Sequence, residues 1–372
     1  MMRNIKINSN QFLVLVIFFT IGTSILEVPS ALADKTNQDA WITAIIGTGI
    51  GLLVIWFFTW IALWFPTLTY IQITEKIFGK WIGRVASLIF ISLPLLYTSS
   101  LLFQSGNFLN THMMPYTPMV ALNILMVGIL VMGVYLGLET IARSAEILFA
   151  FFFLAFFVFV LLIAPEIRIE NVQPVFEVNL KNMLQSSLFL VITSSVNAIV
   201  ILMIFPAFLN KVKQARRSFL IGNLIGGIVI IIITFLSVSV LGADKTANEI
   251  FPSFELAKRI STGDFIERIE VLMASLWIIS LYFKMILYFY ATVFGIAQVL
   301  NLKDYRPLTM PLGLIVMVLS LVIYPNVVYK QDMNITTEYS FSLIVGIFIP
   351  LLLALIYGIR KKSLKKELNS SK

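Results

Sequence analysis

Phe19 to Ala33 reads FTIGTSILEVPSALA. The stretch lies inside the first long apolar run. It places Gly22, Thr23, Ser24 and Ile25 where a membrane-crossing helix would have its midpoint, then Glu27 and Pro29. Lipid offers no hydrogen-bond partner to exposed backbone, so a break at that depth is tolerated only where protein or a polar cavity receives the freed groups. The stretch therefore predicts an interrupted helix beside a site. The plainer alternative is a helix that merely tolerates small residues for packing.

The rest of the chain supplies the setting. Hydrophobic residues make up 59% of 372 and charged residues 12%, and the mean hydropathy is +0.94. Apolar runs of roughly 20 residues, long enough to cross about 30 Å of hydrocarbon, recur along the whole length. They predict an all-α polytopic membrane protein with ten spans at 11–33, 41–64, 84–109, 118–137, 144–164, 186–209, 218–242, 268–300, 308–326 and 339–359. No polar stretch is long enough for a separate soluble domain. Cysteine is absent, which excludes disulfides, thiolate nucleophiles and Cys metal sites. The one histidine, His112, has no histidine to cluster with and reads as a loop residue. No Walker, HEXXH or GXSXG pattern appears, so neither an enzyme, a metal site nor a cofactor is expected.

The net charge of +8 is explained by topology. With a cytoplasmic N-terminus, the inner segments hold Arg3, Lys6, Lys76, Lys80, Lys211, Lys213, Arg216, Arg217 and a basic tail over 360–372, and the outer segments hold fewer. That asymmetry follows the positive-inside rule and places both termini in the cytoplasm. The lipid bilayer, anionic on that face, is the expected neighbour, and nucleic acid is not needed. The outer stretch 243–267 spaces Phe251, Phe254, Leu256 and Ile260 as an amphipathic helix lying at the interface.

Two segments resemble each other. FPTLTYIQITEKIFGKWIGRVASL (65–88) and FPSFELAKRISTGDFIERIEVL (251–272) share an opening, and Gly79, Trp81, Ile82 and Arg84 match Gly263, Phe265, Ile266 and Arg268. They precede spans 3 and 8 from opposite sides of the membrane, as a five-plus-five inverted repeat requires, with halves at about 11–164 and 186–359. Span 6 carries TSSVNA at 193–198, matching the small polar centre of span 1. Gly47 and Gly51 in span 2 match Gly222 and Gly226 in span 7, a spacing that lets backbones approach. Spans 1 and 6 are thus the expected broken pair, with Gly22–Ile25 and Ser194, Ser195 and Asn197 at the breaks.

Glu27 and Lys284 are the ionisable residues that the span assignments place deep in the membrane, and each should face the protein interior. Three readings are open: a structural ion pair, a ligand-reading pair in which Glu27 takes an amine or hydroxyl and Lys284 a carboxylate, or Lys284 standing in for a sodium ion between spans 1 and 8. Leu281, Lys284 and Tyr288 share one stripe of span 8, and Tyr97, Leu101 and Gln104 share one of span 3. Those stripes would line an apolar pocket with a few placed polar groups.

The segments IGTSILEVPSALA, DAWITAIIG, GLETIARSAEI, FPAFLNKVKQARRS, GDFIERIEVL and LKDYRPLTMPLG, in this order and spacing, make the chain resemble the B-subunit family of nutrient germinant receptors of endospore-forming bacteria. That family is similar in turn to the amino acid–polyamine–organocation transporters. The resemblance implies residence in the spore inner membrane with a larger A subunit and a lipoprotein C subunit. It also implies a small nutrient ligand, an amino acid or sugar, and a role in triggering germination. It puts the pocket among spans 1, 3, 6 and 8. An amino acid permease is the alternative, and a scaffold that only anchors partners is a third.

Overall fold

Helices run through each segment expected to be embedded in the membrane, but those of 186–209 and 308–326 end early, at Met203 and Val322. The computed structural model describes residues 6–259 and 268–370. Ile260 of the expected amphipathic helix, and Gly263, Phe265 and Ile266 of the repeat, lie outside the described residues. In chain order the helices are α1 (Ser9–Ile21), α2 (Ser24–Thr36), α3 (Ala40–Ala62), α4 (Tyr70–Phe78), α5 (Lys80–Phe108), α6 (Met119–Leu136), α7 (Leu138–Ile163) and α8 (Leu180–Leu190). They continue with α9 (Val212–Leu241), α10 (Ala243–Asn248), α11 (Pro252–Lys258), α12 (Glu270–Val299), α13 (Thr309–Val322), α14 (Val327–Met333), α15 (Tyr339–Leu343) and α16 (Ile349–Ser370). Among the described residues, eight helical stretches are long and apolar enough to cross a membrane, and Ser9–Ile21 and Arg306–Val322 are shorter apolar helices.

Which helices sit at the centre follows from where their apolar residues point. α1 is buried almost all round, from Phe12 to Ile21, as a helix hydrophobic on every side must be. It packs on α9, α12 and α7, with the Phe18 ring stacked on Phe283 at 4.7 Å. α6 and α7 instead expose Ile124, Leu125, Ile147, Leu154 and Phe157, a surface suited to lipid. Glycines set the closest approaches. A Cβ on Gly226 of α9 would lie 2.6 Å from Thr20 Cβ, and one on Gly51 of α3 would strike Ser195 Oγ. Neither position has room for a side chain.

Two expectations change. The 251–258 stretch does not lie at a lipid interface. Phe254 and Leu256 are buried, the Phe108 ring meets Phe251, Phe254 and Trp277, and Ser253 Oγ donates to Ile25 O at 2.6 Å. Burial of those rings against protein is available once α2, α5 and α12 converge there, and helical spacing alone cannot distinguish a protein face from a lipid face. The last span also begins earlier than 339. Val327–Met333, a π-helical turn at Asn334–Glu338, Tyr339–Leu343, a second π-turn at Ile344–Phe348 and Ile349–Ser370 follow without a break.

Candidate functional site

The first interruption is local and complete. α1 stops where Gly22 takes φ 23°, a value that side-chain-bearing residues rarely adopt. The side-chain carbons of Lys284 occupy the space where a Cβ on Gly22 would stand. Gly22 N still donates to Phe18 O at 2.8 Å, and Leu26 and Glu27 N–H groups turn back to Thr23 O. Gly22 O is taken by Ser280 Oγ at 3.2 Å.

The second interruption is a change of winding. α8 gives way at Val191 to a π-turn through Val196 and then to 3-10 helix over Asn197–Met203. Wider and tighter winding leave carbonyls off the α-helical ladder, and Thr193 O receives Lys284 Nζ at 2.9 Å. The same ammonium donates to Thr23 Oγ1 at 3.2 Å and lies 5.4 Å from the Phe19 ring centre. Lys284 thus ties the two interruptions together.

Glu27 does not pair with Lys284. Its Oε1 accepts from Lys330 Nζ at 3.3 Å and from Gln104 Nε2. The expected span bounds at 326 and 339 leave both Lys330 and Glu338 between spans. The early start of the last helix carries both inward, where Glu338 accepts from Tyr324 OH and Tyr324 OH also reaches Ser100 Oγ at 3.0 Å. The missed signal was the absence of any glycine or proline between Pro325 and Gly346, which leaves nothing to stop a helix there.

A cavity lies between these groups, lined by Thr23, Glu27, Tyr97, Leu101, Gln104, Asn197 and Lys284 from the expected set. Ser100, Phe189, Thr193, Lys330, Glu338 and Tyr339, which were not expected, complete it. Its free volume is about 30 Å³, so a solute larger than a few waters enters only when side chains part. Gln104 Oε1, both amide atoms of Asn197 and the hydroxyls of Tyr339 and Tyr288 are buried without a hydrogen-bond partner among the described residues. Asn197 is near Tyr97 and Tyr288, but the geometry of a bond is not met. Tyr97 stacks on Tyr288 at 5.5 Å and its hydroxyl meets Ser342 Oγ at 2.8 Å.

The other expected residues stand behind this wall. Leu281 and Ile25 are fully buried core, and Ser24 Oγ is buried without a partner. Ser194 Oγ returns to Leu190 O at 2.6 Å, and Ser195 Oγ meets Asn223. Small polar residues at an interruption are spent partly on satisfying the chain itself, so a polar stretch does not mark each of its members as lining.

Three comparisons bear on this arrangement. A family profile described as spore germination protein matches residues 6–328. Spore germination protein KB of Bacillus subtilis (strain 168) is 27% identical, covering 98% of each chain, and spore germination protein A2 of that organism is 25% identical over 96% of this chain and 97% of its own. Among solved structures, MhsT in complex with L-phenylalanine superposes with a TM-score of 0.68 at 14% identity, over 96% of this chain and 90% of that one. Mhp1, a nucleobase-cation-symport-1 family transporter in a closed conformation with bromovinylhydantoin bound, superposes with a TM-score of 0.64 at 11% identity, over 93% and 78%. At such identities the likeness is one of fold.

Proposed function

Because the chain belongs to the spore germination protein family, the permease-like B subunits of germinant receptors on a transporter fold, we propose that it is the nutrient-sensing subunit of such a receptor. The observation that carries this reading is the small cavity between two interrupted helices, lined by charged and polar side chains, with hydrogen-bonding atoms of Asn197, Gln104 and Tyr339 left unpaired among the described residues. Buried unpaired amides and hydroxyls are costly unless something binds them. The ligand is a small amino acid or sugar. Its amine or hydroxyl faces Glu27 and Glu338, and its carboxylate, if present, faces Lys284, the ammonium with no carboxylate in contact among the described residues.

Ligand favours one arrangement of the interrupted helices over another, and the affinity difference sets the signal. The signal passes to an A subunit and a lipoprotein C subunit in the spore inner membrane, both termini of this chain facing the cytoplasm. The halves 11–164 and 186–359 form the inverted repeat, in support of which Gly226 of α9 meets Thr20 of α1 while Gly51 of α3 meets Ser195.

The test is the nutrient concentration for half-maximal germination in spores carrying Asn197→Ala or Tyr339→Phe. A rise of tenfold or more, at unchanged subunit level, is expected. An unchanged concentration for every amino acid and sugar tried removes the cavity as the sensor. The similarity to MhsT and Mhp1 favours a second reading, a permease working by alternating access. Saturable amino acid uptake by this chain alone in proteoliposomes would establish it, whereas response only with A and C subunits present supports the receptor.

A further inference from the structure

Asn223 is buried in the middle of α9. Its Nδ2 donates to Thr20 Oγ1 at 3.2 Å and to Ser195 Oγ at 3.2 Å, and the Ser195 hydroxyl also lies 3.4 Å from Asn223 Oδ1. Thr20 stands two residues before the Gly22 interruption, and Ser195 two residues after Thr193, whose carbonyl holds Lys284. A single side chain on a third helix thus grips both interrupted segments outside the cavity lining. Gly226 and Gly51 leave no room for a side chain of their own against Thr20 and Ser195, which keeps both partners close to α9 and α3. The half-equivalent position on α3, Thr48, makes no such link, since its hydroxyl returns to Ala44 O at 2.9 Å. The link is therefore one-sided.

We propose that Asn223 is a positioning residue that locks the Gly22 interruption and the 191–196 π-turn into one register, so that displacement of either segment by a ligand displaces the other. Asn223, Thr20 and Ser195 are all buried, so a bond lost among them is not made good by bulk solvent. The effect on nutrient response rests on the receptor reading; the register lock itself does not.

The lock is tested by hydrogen–deuterium exchange of the purified full-length chain in nanodiscs, following peptides over 18–27 and 190–203. Thr20→Val and Ser195→Ala, each a mild change in one segment, are expected to raise exchange at least fivefold in both peptides. Asn223→Leu does the same, and Thr48→Val does neither. If Thr20→Val and Ser195→Ala each affect only their own peptide, or no peptide changes, the lock is overturned, whether or not Asn223→Leu folds. A parallel germination assay separates the two ideas. Raised exchange in both peptides with an unmoved half-maximal nutrient concentration keeps the lock and refutes the receptor reading of it. Asn223→Gln, which retains the amide, restores a partly normal concentration if register rather than bulk packing is at stake.

Discussion

Lys330 Nζ lies 3.3 Å from Glu27 Oε1, with the two side chains 7% and 19% exposed. This pair joins α2, the half of the first interrupted helix beyond Gly22, to the start of the last helix. Lys330→Met leaves Glu27 with an amide donor only, and breaking such a pair costs about 3 kcal/mol, the low end for buried pairs because Glu27 retains some exposure. Subunit level by immunoblot and the thermal midpoint of purified protein should fall in Lys330→Met and recover in Glu27→Gln/Lys330→Met. Equal loss in single and double variants would show that the charges do not support one another.

Lys284 answers to different partners. Lys284→Met strips donors from Thr193 O and Thr23 Oγ1, leaving acceptors unpaired at about 1–3 kcal/mol each. Adding Glu27→Gln should not restore the thermal midpoint, because Glu27 already has Lys330. Recovery in that double variant would mean that Glu27 and Lys284 couple directly.

Two glycines on α3 make a controlled comparison. A Cβ on Gly49 meets nothing within 4 Å, whereas one on Gly51 strikes Ser195. Gly49→Ala should be neutral or stabilising by up to about 1 kcal/mol through helix propensity. Gly51→Ala should lose about 1–3 kcal/mol by overpacking, read as the difference between the two thermal midpoints.

Asp39, fully buried, accepts from Phe176 N at 2.9 Å and Val178 N at 3.1 Å. These charge-assisted bonds anchor the segment between α7 and α8. In Asp39→Ala, limited proteolysis by chymotrypsin should cut after Phe176 several times faster, while the cavity residues keep their exchange rates. An unchanged cleavage rate would show that packing, not the carboxylate, holds the segment.

The interruption at Gly22 was legible because glycine, threonine and serine in an apolar run have few uses in lipid. The glycine pairs were legible for the same reason, and Gly51 and Gly226 meet their neighbours as that spacing implied. Lys330 and Glu338 were not, since polar residues near a span end read as loop when only composition is weighed. Asn223 was missed because a single amide in a long apolar helix carries no periodicity, and its meaning appears only when Thr20 and Ser195 are beside it. The partner of Glu27 turned on where one helix begins, and the tertiary fold, not the charge pattern, decides that.

The unbroken course of the last helix has a mechanical consequence. From Glu338 beside the cavity to Arg360 is about 30 Å at 1.5 Å per residue, and Arg360 Nη1 is moored to Ile77 O of α4 at 2.6 Å. If the π-turn at Ile344–Phe348 and Pro350 hold their angles, a pivot of about 5° at Glu338 swings the far end by about 2.5 Å, enough to stretch that hydrogen bond beyond its range. A small tilt beside the cavity is thereby magnified into a released mooring at Arg360.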